Sequence, residues 1–130
     1  MKIEHIALWV NDLEKMKNFY IHYFNCTAGE KYINTKNRFE SYFLTFTSGA
    51  RLEIMQMHSI QQNINDPHKQ YTGLIHFALQ LESREAVDEL TKRLEDDGYE
   101  IAGYPRVTGD GYYESCVFDP EMNRIELIIT

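Results

Sequence analysis

Apolar and polar positions alternate near the start of the chain and again beyond its middle. Residues 3–10 and 74–82 each place apolar side chains at every second position, which is typical of a half-buried strand. Apolar residues at helical spacing follow both segments. The first helix is predicted to run from a cap at Asn11 to about Phe24, and the second to begin at a cap on Ser83.

Three strands are predicted after each helix, so each half of the chain has the order strand, helix, strand, strand, strand. The predicted strands lie near 27–33, 39–47, 50–57, 99–105, 113–118 and 124–129. The polar stretch 58–73 separates the halves. We therefore predict an α+β fold: one domain over residues 1–130, made of a βαβββ module at 1–57 and a second at 74–130, joined by linker 58–73.

Two short motifs occur once in each half of the chain. The sequence HIAL at 5–8 returns as HFAL at 76–79, and RLEIM at 51–55 returns as RIELI at 124–128. An internal repeat of this length indicates that two copies of one structural unit build the fold. Each copy carries one His and one Glu at matching places.

These repeated residues are candidate metal ligands. Strand alternation puts each His on the face opposite the apolar one, and the Ala two residues later leaves room beside the imidazole. Imidazole nitrogen and carboxylate oxygen suit a divalent transition ion, with zinc or nickel expected first and cobalt, manganese or iron as alternatives. A single His on a strand is more often structural, and it is the repeat that favours ligation. The predicted ligands are His5, Glu53, His76 and Glu126.

Charge and composition exclude several classes of partner. The net charge is −7, from 20 acidic and 13 basic residues, which argues against nucleic acid and anionic membrane surfaces. No segment approaches the ~20 apolar residues of a membrane helix. Cys26 and Cys116 are expected to be reduced thiols of a cytoplasmic protein. A small-molecule substrate is the expected partner.

The whole chain resembles the vicinal-oxygen-chelate superfamily, most clearly in HIALWVNDLEKMKNFY at 5–20 and DPEMNRIEL at 119–127. That superfamily includes glyoxalase I, fosfomycin-resistance thiol transferases, extradiol dioxygenases, methylmalonyl-CoA epimerase and bleomycin-binding proteins. The resemblance implies paired βαβββ modules with curved mixed sheets around a metal cleft, and a homodimer. It implies the same four ligands, in the His, Glu, His, Glu pattern of bacterial glyoxalase I.

By this resemblance, the expected activity is that of a lactoylglutathione lyase-like enzyme acting on vicinal oxygens, for example in a hemithioacetal of methylglyoxal. Glu126 is the expected catalytic base and Glu53 its catalytic partner. Trp9 stands where glutathione-using relatives often carry Arg, and 23–26 lack the family's Leu-Gly motif. Both departures weigh against glutathione as the thiol. The alternatives are a ring-cleaving dioxygenase, a thiol transferase and a non-catalytic protein that binds a small molecule such as a drug.

Overall fold

A computed structural model describes residues 1–129 of the chain. It divides into two compact units, Met1–Asn63 and Ile64–Thr130, called here the first and second unit. The boundary falls inside the stretch 58–73 that the sequence predicts to be a linker. That these units form one domain stays a prediction. Within the described residues, neither helix has the length and apolar character needed to span a membrane.

The first unit consists of one helix and five strands. Its elements are β1 His5–Trp9, α1 Leu13–Phe24, β2 Thr27–Ala28, β3 Tyr32–Asn34, β4 Phe39–Thr45 and β5 Arg51–Met57. The strands form one mixed sheet in the order β1-β5-β4-β2, and β3 also pairs with β4. The β1–β5 pairing is parallel and the others are antiparallel. The helix between β1 and β5 provides room for the crossover that a parallel pair needs.

The second unit repeats this plan with one strand fewer. Its elements are β6 His76–Gln80, α2 Arg84–Asp96, β7 Ile101–Val107, β8 Tyr113–Phe118 and β9 Arg124–Ile129. The sheet order is β6-β9-β8-β7, with β6 parallel to β9 and the other pairs antiparallel. Each unit is thus a mixed sheet with one helix, which confirms the predicted α+β class.

Two details of the first unit differ from the prediction. The cap of α1 is Asp12 and not Asn11: Asp12 has an extended backbone, and its carboxylate accepts a hydrogen bond of 3.0 Å from the backbone N–H of Lys15. The predicted strand at 27–33 is two short strands, β2 and β3, which pair with different parts of β4. Between the two strands the register on β4 shifts by one residue, from Ala28 opposite Leu44 to Tyr32 opposite Ser41.

Each helix covers one face of the sheet in its own unit. In the first unit, α1 packs on β4 and β5, and in the second unit α2 packs on β7, β8 and β9. The buried residues shared by these layers include Leu13, Met16, Tyr20, Leu44, Leu52 and Ile54 in the first unit, and Val87, Leu94, Val117, Ile125 and Leu127 in the second. Because side chains alternate across a strand, the residues between these core positions lie on the opposite face, which carries the candidate site.

Candidate metal centre

The parallel pairing of β1 with β5 brings the first His and Glu together. In this register His5 lies opposite Arg51, and Ala7 lies opposite Glu53. The small Ala7 side chain leaves space for the imidazole and carboxylate to meet diagonally. His5 Nε2 and Glu53 Oε2 are 3.6 Å apart, and the Glu53 side chain keeps 14% of its surface exposed. One nitrogen and one oxygen donor therefore face solvent side by side.

The second unit reproduces this arrangement in the same register. His76 lies opposite Arg124, and Ala78 lies opposite Glu126. His76 Nε2 and Glu126 Oε2 are 3.1 Å apart, and the Glu126 side chain is 21% exposed. The structure therefore brings the predicted residues together as two like pairs, one in each unit.

Glu4 contacts the Nδ1 side of the His5 imidazole, away from Glu53. The sequence analysis did not identify Glu4 as a functional residue. Its Oε2 lies 2.5 Å from His5 Nδ1, and Oε1 accepts a hydrogen bond of 2.8 Å from Arg51 Nε. The hydrogen bond to His5 holds the pKa of the Glu4 carboxyl below its usual value, with Arg51 adding to the effect. A carboxylate on Nδ1 favours the tautomer that leaves Nε2 free to bind a metal.

In the second pair, Ile75 occupies the place that corresponds to Glu4, and an apolar side chain cannot orient His76 as Glu4 orients His5. The second pair has polar neighbours on the adjacent strand instead. Cys116 lies opposite Glu126, and Glu114, two residues earlier in β8, lies on the same face. Burial raises the pKa of Glu114, and the charge of Glu126 raises it further. The alternation of β8 could have revealed these two residues, but only with the β8–β9 register known.

The two repeated arginines are held by groups of their own unit. Arg51 forms an ion pair with Glu4, and its guanidinium lies 4.1 Å from the centre of the Phe43 ring. Arg124 donates a hydrogen bond of 3.0 Å to the carbonyl of Pro67 and lies 5.1 Å from the centre of the Phe118 ring. These contacts fix both side chains beside the His–Glu pairs.

Neither cysteine is arranged as a nucleophile. Cys26 is buried, and this burial raises the pKa of its thiol to about 11. Burial also raises the pKa of Cys116, in spite of the opposing effect of Arg124. Both thiols are therefore protonated near neutral pH, which disfavours covalent catalysis by cysteine.

The donor chemistry of each pair fits a divalent transition metal. Imidazole nitrogen beside carboxylate oxygen is a set that zinc, nickel, cobalt, manganese and iron accept. Within residues 1–129, no three His, Cys, Asp or Glu side chains form a group that could hold an ion. Each pair alone thus supplies two donors, and the complete set of His5, Glu53, His76 and Glu126 stays a prediction.

Comparison with known proteins assigns the chain to a family. Residues 2–127 match the family model of the Glyoxalase/Bleomycin resistance protein/Dioxygenase superfamily. The uncharacterized protein YqjT of Bacillus subtilis (strain 168) is 25% identical over 135 residues, which cover 97% of both chains.

Solved structures share the fold over nearly the whole chain. A glyoxalase family protein from Enterococcus faecalis is 23% identical, with a TM-score of 0.78 over 98% of this chain and 97% of that one. A glyoxylase/bleomycin resistance protein/dioxygenase domain from Frankia sp. EAN1pec is 16% identical, with a TM-score of 0.81 over 99% and 97%. The trypanothione-dependent glyoxalase I of Leishmania major is 21% identical, with a TM-score of 0.75 over 98% and 86%. The chain has the glyoxalase-like, vicinal-oxygen-chelate fold, and it belongs to the Glyoxalase/Bleomycin resistance protein/Dioxygenase superfamily.

Proposed function

We propose that this protein is a metal-dependent lyase or isomerase of the glyoxalase type. Its substrate is a small molecule with two vicinal oxygens, such as a thiol hemithioacetal of methylglyoxal. In this proposal the ligands of a zinc or nickel ion are His5, Glu53, His76 and Glu126. The observation that carries the proposal is the duplication of one His–Glu pair, in the same strand register, on the exposed sheet face of both units.

The chemistry requires moving a proton between adjacent carbons. A bound divalent ion supplies Lewis-acid stabilisation of the negative charge that develops on the substrate oxygens. Glu126 accepts the proton from one carbon and returns it to the next. Glu53 is the second catalytic carboxylate in this proposal. The exposure of Glu126 and its open place beside Ala78 support this role, because a proton acceptor must reach the substrate.

The chain's own residues bear on which thiol the substrate contains. Trp9 occupies the position where glutathione-using relatives often have Arg, and an indole cannot form the ion pair that a thiol's carboxylate would require. Arg51 is already paired with Glu4. We therefore propose a thiol adduct other than that of glutathione, and a screen should include several thiols.

Metal content is the first test. The purified protein is expected to contain about one transition ion per chain, measured by inductively coupled plasma mass spectrometry after reconstitution and dialysis. Glu53→Ala and His76→Ala should each lower that content strongly, because each removes a ligand. His58→Ala and Glu30→Ala are matched controls outside the pairs and should retain the ion. If the wild type takes up neither nickel, zinc nor iron, the enzyme proposal is wrong and a ligand-binding role replaces it.

A turnover assay distinguishes the role of Glu126 as catalytic base from its role as metal ligand. Glu126→Gln should keep much of the ion through its amide oxygen, while kcat falls on the order of 10²–10⁴-fold because the proton acceptor is lost. The assay follows loss of the hemithioacetal by absorbance, with metal content measured on the same sample. Normal turnover by Glu126→Gln would exclude it as the base. Oxygen uptake that depends on iron would identify a dioxygenase instead.

A further inference from the structure

Three aromatic side chains form a partly open group on the first unit, called here the aromatic cluster: Trp9, Tyr32 and Phe39. The Trp9 and Phe39 rings meet edge to face, with centres 5.9 Å apart and planes at 86°. The Tyr32 and Phe39 rings are tilted by 59° at the same separation. Trp9 remains 42% exposed and Tyr32 55% exposed. The rings therefore support one another while leaving aromatic surface open.

The aromatic cluster shares a sheet face with the His5–Glu53 pair. Along β1, the residues His5, Ala7 and Trp9 point the same way, and Trp9 pairs with Met55, two positions after Glu53. At ~3.3 Å per residue, the Cα atoms of His5 and Trp9 are about 13 Å apart. Only the Ala7 methyl lies between them on that strand. A small molecule held at the pair can therefore extend across Ala7 to the aromatic cluster.

The second unit shows that the fold does not require an aromatic residue at the place of Trp9. Gln80 follows His76 at the spacing by which Trp9 follows His5, and it is exposed. The same framework thus accepts a polar side chain at this place in one unit, so stability alone does not explain Trp9 in the other.

The open area suits a small molecule better than a second protein. Aromatic side chains carry about 150–250 Å² each, so the exposed fractions of Trp9 and Tyr32 leave on the order of 200 Å² open. A stable protein interface buries about 800 Å² on each partner. One planar ring laid against the cluster would cover most of the exposed surface.

We propose that the aromatic cluster is a specificity site, which binds an aromatic ring of the substrate while the substrate's vicinal oxygens lie at the His5–Glu53 pair. The inference rests on the proposed function for the position of the oxygens. The ring contact itself requires only the described geometry of the first unit. Ring-to-ring contacts discriminate by factors of about 2–12 for each pair of rings, so three rings make the selectivity measurable.

The test uses two probes that differ in one group. Benzohydroxamate and acetohydroxamate both present two vicinal oxygens, but only the first carries a ring. Isothermal titration calorimetry on nickel-reconstituted protein should give benzohydroxamate a Kd on the order of 10-fold lower than acetohydroxamate. Trp9 is the only tryptophan in the chain, so its fluorescence should change with benzohydroxamate and not with acetohydroxamate.

Variants locate the selectivity. Trp9→Gln introduces the residue that the second unit carries at the corresponding place, and Tyr32→Ser shortens a second ring. Both should bring the ratio of the two Kd values towards 1, while leaving the Kd of acetohydroxamate within about 2-fold. Tyr104→Ala is the matched control, because Tyr104 is an exposed aromatic whose hydroxyl bonds to Glu95 on α2. Its ratio should equal that of the wild type.

Two further results would separate this inference from the proposed function. If the protein binds no metal, the same probes are compared on the metal-free protein: a Trp9 fluorescence response to benzohydroxamate alone supports the ring site, and no response overturns it. Equal Kd values for the two probes on the wild type also overturn it. So does a change of sedimentation-derived mass in Trp9→Gln, which would identify the cluster as an interface between copies.

Discussion

Single residues around the two His–Glu pairs differ although the pairs themselves match. His5 has the Glu4 carboxylate at Nδ1 and the Phe43 ring at 5.4 Å from its own ring centre. Glu126 has Cys116 opposite and shares its face with Glu114. The first pair therefore has an oriented imidazole beside an aromatic neighbour, while the second has a carboxylate among polar groups. This difference supports separate roles for the two glutamates.

Glu4 is expected to strengthen metal binding without touching the ion. Glu4→Gln removes the charge that favours the required tautomer of His5, so the Kd for nickel or zinc should rise about 10-fold. Competition with a chromophoric chelator measures this Kd. Glu30→Gln, an exposed carboxylate outside the site, is the control and should leave the Kd unchanged. An unchanged Kd in Glu4→Gln would show that the contact does not orient His5.

Glu14 is expected to make stability depend on acid pH. Its carboxylate contacts Lys17 at 2.9 Å and accepts a bond of 2.9 Å from the Tyr42 hydroxyl. Hydrogen bonding to Lys17, then to Tyr42, lowers the pKa of Glu14 from 4.5 to about 2. Because the folded-state pKa is lowered, this stabilisation is present above about pH 4.5 and is lost as the pH falls towards 2.

Urea unfolding of wild type and Glu14→Gln measures that dependence. The side chain is half exposed, so the variant should lose only about 0.5–1 kcal/mol of unfolding free energy at pH 7. The difference should shrink steadily below pH 4.5. A difference that grows on acidification would contradict the assignment.

Among the elements, the turn between β8 and β9 sets the register that places Glu126. Asp119 is only 2% exposed, and its Oδ1 accepts bonds of 2.9 Å from the backbone N–H groups of Glu121 and Asn123. Its Oδ2 accepts a third bond, of 2.8 Å, from the Asn123 side chain. The turn also holds Met122 at a φ of 66°, which an L residue rarely adopts. The Asp119 carboxylate therefore stabilises the strained turn and holds the backbone at which β9 begins.

Asp119→Ala is expected to lower the free energy of unfolding by about 1–2 kcal/mol, because it leaves two partly buried N–H groups without their acceptor. Asp119→Asn should lose less, since its amide oxygen can still accept both backbone bonds. Chemical denaturation with fluorescence detection measures both values. Equal losses in the two variants would show that the backbone bonds do not carry the effect.

Element positions were largely predictable from the pattern of apolar residues. Seven of the nine described strands begin and end within two residues of the prediction, because a sheet covered on one face requires strict alternation. The cap of α1 moved by one residue because Asn11 and Asp12 can both cap a helix and only the backbone angles decide between them. The division of the predicted strand into β2 and β3 depends on how each pairs with β4. No pattern in the residues 27–34 themselves indicates that division.

For the whole molecule, the proposed ion is expected to stabilise the folded state. If the ion binds only the native chain and its free concentration is about 100-fold above its Kd, it adds about 2.7 kcal/mol to the free energy of unfolding. This should raise Tm by about 10 °C. Scanning calorimetry of the metal-free protein, with and without nickel or zinc, measures the shift. His76→Ala should show little shift, and His58→Ala should behave as the wild type. A shift of equal size in His76→Ala would place the ion elsewhere.

Local residue order is enough to predict the order of helices and strands in this protein and the identity of its candidate ligands. Alternation of apolar and polar residues predicts the strands. The repeated motifs identify His5, Glu53, His76 and Glu126. Both patterns can be recognised from short stretches of the sequence. The neighbours that these ligands have on other strands follow from the folded structure. The contact of Glu4 with Arg51, the place of Glu114 beside Glu126 and the aromatic cluster depend on the register between strands distant in sequence. That register follows from packing and turn geometry that local order does not specify.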